Sequence, residues 1–130
     1  MAYKSVSIHR DTPWTFFEAK DAARRSSLAQ SLAEDEFKRS SEAASQAEAA
    51  YRMELGKEIT RLRADGNSVT LVPDLARGAE RIAQLKLERD VCLGVLDAAK
   101  QALWRHTADR RDVQSFISWS LQVSTGRAMD

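Results

Sequence analysis

The sequence predicts an all-α fold: an elongated antiparallel two-helix hairpin, coiled-coil-like, which dimerises into a four-helix bundle. Three observations predict it. Two long stretches nearly free of helix breakers, about Pro13 to Ala64 and Ala79 to Val123, each carry an apolar stripe at helical spacing, steps of three, four or seven in the first and of three and four in the second. The only mid-chain cluster of turn residues, "RLRADGNSVTLVPDLARG" at 61–78, lies between them. Strand-like alternation is absent throughout. The expected organisation is a disordered tail at 1–12, a hairpin at 13–124 (helix 13–64, turn and short helix 65–78, helix 79–123) and a disordered tail at 125–130.

The first helix carries two competing start signals. Thr12 followed by Pro13 suits an N-cap with proline at the first helical position, whereas "TFFE" at Thr15 to Glu18 fits a capping box. Further along, Ala33, Phe37, Ala44, Ala47, Tyr51, Leu55, Ile59 and Leu62 draw one stripe along the helix. A helix of this span is about 75 Å long at about 1.5 Å per residue, too long for the interior of a compact globule of this size.

The mid-chain cluster reads as a hinge. Gly66 and Asn67 tolerate the left-handed conformation that ends a helix, with Arg61 and Arg63 favourably placed in the last turn. Thr70 is expected to cap a short helical turn, "LVPDLAR", with Pro73 near its start and Gly78 closing it. As a calcium loop the stretch lacks alternate carboxylates and a closing glutamate. As a phosphate loop it lacks the glycine pair followed by Lys and Ser or Thr.

The second helix has the clearer period. Ile82, Leu85, Arg89, Cys92, Leu96, Ala99, Leu103, His106, Arg110, Val113 and Ile117 alternate steps of three and four, the repeat of a coiled-coil seam. Arg89 and Arg110 are expected to snorkel or to pair with carboxylates of the other helix. Cys92 is the single cysteine and reads as a small structural hydrophobe.

Residues 49–103, "AAYRMELGKEITRLRADGNSVTLVPDLARGAERIAQLKLERDVCLGVLDAAKQAL", resemble small helical proteins encoded by phages and prophages of Gram-positive bacteria. Shared features are a YR-led first helix, a turn before "DLARG", then "AxLKLERD" and an alanine-rich run. The resemblance implies origin and a two-helix architecture; it carries over no enzymatic role and no functional residue.

Folding back at 65–70 sets opposite one another positions whose numbers sum to about 135–142. "SSEAASQAEAAY" then faces "VCLGVLDAAK", with small side chains near Ala43, Ala44 and Ala47 and with Leu93, Val95 and Leu96 filling the space. Gly56 and Gly94 mark either close approach or a slight bend. A second apolar row, Leu87, Val91, Val95, Ala98 and Ala102, lies beside the seam and is the candidate homodimer interface, since one partner helix does not cover both rows; a host or phage partner covering it is the alternative. At the open end, Trp14, Phe16, Phe17, Phe116 and Trp119, with Ile117, form either a terminal hydrophobic plug or a partner-binding patch.

Composition bounds the function. Twenty Lys and Arg nearly cancel nineteen Asp and Glu over 130 residues, so no global field holds the chain on nucleic acid or anionic lipid. No apolar run reaches the roughly 20 residues of a membrane span, and the N-terminus lacks the apolar stretch of a secretory signal, so a soluble, cytoplasmic protein of a bacterial host cell is expected. No catalytic constellation is present: His106 with Asp109 and Asp112 lacks further metal ligands, His9 lies in a tail, and Glu34, Asp35 and Glu36 point in different directions. No cofactor or metal is expected. The basic pairs Arg24–Arg25, Lys38–Arg39, Arg61–Arg63 and Arg110–Arg111 are interleaved with acids at helical spacing, the pattern of a salt-bridged surface. The expectation is a non-catalytic interaction protein of phage or prophage type, a scaffold or inhibitor that binds a phage or host protein. The alternative is a nucleic-acid-binding accessory factor in phage recombination or replication.

Overall fold

The computed structural model describes residues 12–126. Among them there is no strand, and the chain forms α1 (Phe16–Ala64), α2 (Val72–Gly78) and α3 (Glu80–Ser124). The fold is therefore all-α, dominated by a long helix pair. It divides into two compact units: residues up to Glu36 together with those from Lys100 onward, and Phe37–Ala99. In each unit a portion of α1 pairs antiparallel with a portion of α3. Of the expected tails at 1–12 and 125–130, residues 1–11 and 127–130 lie outside the described residues.

The two signals at the start of α1 are resolved in favour of the capping box. The Thr15 hydroxyl accepts the Glu18 N–H at 3.2 Å and the Glu18 carboxylate accepts the Thr15 N–H at 3.2 Å. Pro13 therefore precedes the helix, because the box fixes Thr15 as the non-helical residue and places the first helical residue at Phe16. At the other end, Gly66 has φ +82°. Its N–H bonds the Arg63 carbonyl (3.1 Å) while the Asn67 N–H bonds the Leu62 carbonyl (3.2 Å), the paired hydrogen bonds of a Schellman motif. The Asn67 side-chain amide donates to the same Leu62 carbonyl at 2.9 Å. α3 ends one residue later than expected, at Ser124, with Gly126 at φ +75°.

The hinge belongs to the Phe37–Ala99 unit and has its own small core. Leu62, Val72 and Ala76 are buried together, with Leu55 and Ile59 packed against them. Pro73 sits at the start of α2 as expected, but Thr70 does not cap it. The flanking residue, Leu71, is already in the right-handed helical region, and the Leu71 and Val72 N–H groups both bond the Ser68 carbonyl (3.0 Å each). The Thr70 hydroxyl instead pairs with that of Ser68 at 3.0 Å. A chain entering α2 through a preceding turn leaves no extended residue for a side-chain cap to occupy.

The predicted register holds in this unit: Arg81 meets Glu54 at 3.5 Å and Arg89 meets Glu48 at 3.4 Å. All the predicted seam residues on both helices are buried or half-buried. The space-filling expectation needs correcting. Ala44 is buried, but Ala43, Leu93 and Val95 are exposed, and a Cβ added at Gly56 or Gly94 would meet nothing within 4 Å. Leu93 lies one position past Cys92, and Val95 one before Leu96, so each is turned about 100° around the helix from the seam. Neither glycine marks close approach within the chain.

In the other unit the seam is made of small residues on α1, namely Ala22, Ser26, Ala29 and Ala33, against Val113, Phe116 and Ser120 on α3. Ser26 satisfies its hydroxyl by donating to the Ala23 carbonyl at 3.1 Å. A polar layer fixes the pairing here. Arg110 donates to the Gln30 side-chain oxygen at 2.6 Å, and the Gln30 amide donates to the Thr107 hydroxyl at 3.2 Å. Of the two expected outcomes, snorkelling or a carboxylate partner on the other helix, Arg89 in the Phe37–Ala99 unit takes the second, whereas Arg110 meets an amide across the helices.

Candidate functional site

The aromatic end lies within the unit formed by residues up to Glu36 and from Lys100 onward. Trp14 precedes the capping box, and its backbone N–H donates to the Ser120 hydroxyl at 3.0 Å. That bond seats the Trp14 ring edge-on against Phe116, with centroids 4.5 Å apart at 72°, and Phe116 in turn lies 5.3 Å from Trp119. The five candidate patch residues therefore divide. Trp14 and Phe116 pack inward, whereas Phe16 and Phe17 contact each other at 5.9 Å and remain 75% and 80% exposed. Trp119 lies at the boundary between the two sets.

Beside the exposed phenylalanines runs an apolar groove of about 640 Å³, bordered by Trp14, Phe16 and Ala19 on one side and Ile117 and Leu121 on the other, with Lys20 on its rim. Its α3 wall is uncharged, since no Asp, Glu, Lys or Arg occurs from Val113 to Gly126. Lys20 and Arg24, one turn apart on α1, have no ion-pair partner among the described residues. The acids nearest to them in sequence are engaged: Glu18 in the capping box and Asp21 with Arg25 at 3.3 Å. Sequence reasoning missed Ala19, Lys20 and Leu121. The signal was available in the spacing of Phe16, Ala19, Lys20 and Ala23, which share one side of α1.

The second candidate surface is the row on α3. Leu87, Val91, Val95 and Ala98 are all exposed on the Phe37–Ala99 unit; Ala102, which belongs to the other unit, is half-buried. The row is thus outside the helix pairing of its own unit.

Arg25, Arg52, Lys57, Arg61, Arg81 and Arg89 are held in ion pairs, so only part of the basic surface is neutralised within the described residues. Arg52 meets Glu48 at 2.7 Å, Lys57 meets Glu54 at 3.6 Å, and Arg61 bridges Glu58 and Asp65. The hydrogen bond from Arg61 holds the Glu58 carboxyl below its usual range and raises Arg61 correspondingly. Arg89 is raised by its hydrogen bond to Asp90, with Glu48 adding to the effect, and its guanidinium lies 4.5 Å over the Tyr51 ring.

Among the described residues no group of three or more His, Cys, Asp or Glu is placed to hold a metal ion. His106 and Asp109 each have an interaction partner, and His106 is half-buried, as is Cys92. His9 lies outside the described residues. No helix of the described chain is long and apolar enough to cross a membrane. Compared with known proteins, the chain matches no family model, no curated protein and no solved structure.

Proposed function

We propose that this chain is a non-catalytic interaction protein of phage or prophage type, acting in the cytoplasm of a bacterial host as a scaffold or inhibitor that binds a phage or host protein. The observation that carries the reading is the pair of exposed phenylalanines, Phe16 and Phe17, beside an apolar groove. Exposed aromatic side chains next to a concavity are the usual anchors of a protein interface, because burying them releases large apolar area at little rotamer cost. In this reading the protein is a homodimer through Leu87, Val91, Val95, Ala98 and Ala102, forming a four-helix bundle.

The test is affinity purification of the tagged protein from its host during infection or induction, with and without nuclease. A defined protein partner that survives nuclease and is lost on Phe16→Glu with Phe17→Glu is the expected outcome. The competing reading, a nucleic-acid accessory factor in recombination or replication, draws on Lys20 and Arg24, which have no ion-pair partner among the described residues. It predicts recovery that depends on nucleic acid and falls steeply with salt. For the dimer, sedimentation of the wild type against Val91→Asp decides: an unchanged species would remove this row from the interface.

A further inference from the structure

We propose that the groove bordered by Trp14, Phe16, Ala19, Ile117 and Leu121 receives an acidic amphipathic helix of a partner protein, one whose apolar face fills the groove while a flanking carboxylate meets Lys20 and Arg24. The inference rests on the interaction-protein reading and names the chemistry of the partner. Secondary structure comes first. The walls of the groove are Trp14, Thr15 and the first turns of α1 on one side and the last turns of α3 on the other, so no sheet edge is offered and an extended peptide gains no main-chain ladder. A helix laid between two helices, by contrast, buries one apolar stripe against both.

Charge then selects among helical occupants. The α3 wall, from Val113 to Gly126, is neutral. The α1 rim carries Lys20 and, one turn on, Arg24, neither with an ion-pair partner among the described residues, while Glu18 and Asp21 are held by the capping box and by Arg25. The rim is therefore locally positive in a chain of net charge +1. A second copy docked through Phe16 and Phe17 would bring its own Lys20 and Arg24 toward those of the first, because a two-fold interface sets the same patch against itself. Like charges at such a contact oppose pairing, and carboxylates favour it.

The test uses the full chain and three fluorescein-labelled amphipathic helical peptides that share a leucine face and differ only in flanking residues: Glu, Gln or Lys. Binding is read by fluorescence anisotropy at low and moderate salt. The Glu peptide is expected to bind most tightly and the Lys peptide least, with the two separated by about fivefold or more at low salt. Lys20→Glu with Arg24→Glu should reverse that order at unchanged helical circular dichroism, since both side chains are exposed. Leu121→Asp, which places a carboxylate in the groove at a 64% exposed position, should weaken the Glu peptide most. Equal affinities for the Glu and Lys peptides, or no binding of any peptide, overturn the inference. So does displacement of the Glu peptide by a single-stranded oligonucleotide, or concentration-dependent self-association abolished by Phe17→Glu. The wider reading fails separately: a nuclease-resistant partner lost on Phe16→Glu with Phe17→Glu would keep it standing even where the peptides show no preference for acid.

Discussion

Val72→Ala tests whether the hinge is a structural element or a slack connection. Val72 has no exposed surface and closes the cluster formed by Leu62 and Ala76, with Leu55 and Ile59 alongside. The substitution removes two methyl groups, worth about 1.6 kcal/mol of transfer free energy at roughly 0.8 kcal/mol per group. A cavity term of up to about 1 kcal/mol adds to this where the surroundings fail to collapse. The expected loss is about 2 to 3 kcal/mol. Val69 supplies a matched control in the same connection, since it is 72% exposed and Val69→Ala makes the same chemical change. In urea denaturation followed by far-UV circular dichroism, Val72→Ala should lower the midpoint by about 0.7–3 M, at a typical slope of about 1–3 kcal/mol per M. Val69→Ala should stay within about 0.5 kcal/mol of wild type. Equal effects at the two positions would refute the claim that α2 is anchored by burial.

Backbone conformation at the glycines separates them in the same assay. Gly66→Ala should cost about 1 kcal/mol because its φ of +82° penalises any L side chain, whereas Gly56→Ala should stabilise by about 0.5–1 kcal/mol, since the new Cβ meets open space on a helix. Thr15→Ala should lose about 1 kcal/mol by opening the capping box, seen as faster amide exchange at Glu18. Glu58 should titrate below an ordinary glutamate by NMR and return toward the ordinary value in Arg61→Gln. Because its folded pKa is depressed, its contribution is present above the unfolded value and is lost as pH falls through the folded one. For the polar layer, single Gln30→Ala should destabilise by stranding Arg110, whereas Gln30→Leu with Arg110→Met should cost less than the sum of the singles.

The seam of α3 was legible because steps of three and four persisted through Arg89, His106 and Arg110, so period outweighed polarity. The register was legible from the glycine and asparagine at 66 and 67 alone, and the contacts Arg81 to Glu54 and Arg89 to Glu48 follow it. What escaped were small polar core residues. Ser26 and Ser120 belong to neither predicted stripe, yet a hydroxyl bonded to a nearby carbonyl or N–H is buried at little cost, as both are. Thr70 was misassigned because cap preference describes a helix entered from extended chain, and α2 is entered from a turn. At the aromatic end the cluster was legible and its division was not. Phe16 and Phe17 are consecutive, so on a helix they are turned about 100° apart, and only the position of the helix start at Phe16 fixes which way each one faces.

The choice of residues in the seams bears on function through the free energy it leaves unused. In the unit containing the termini, the buried α1 positions are Ala22, Ser26, Ala29 and Ala33, each contributing at most a methyl group, while Phe16, Phe17, Leu28 and Leu32 on the same helix stay exposed. The Phe37–Ala99 unit follows the pattern only in part: it buries Ser40 and Ala44 but also Tyr51, Leu62, Val72 and Ile82, while Leu87, Val91 and Val95 remain outside the pairing. A helix pair closed by alanine and serine permits close backbone approach but draws little from apolar burial, at roughly 0.8 kcal/mol per methyl-sized group. Several larger side chains that would add about 1.5–3 kcal/mol each on burial face outward in both units, although Tyr51, Leu62, Ile82, Val113 and Phe116 are buried. Association is the step that would recover the energy left at Phe16, Phe17, Leu28 and Leu32, as the proposed interaction-protein reading requires.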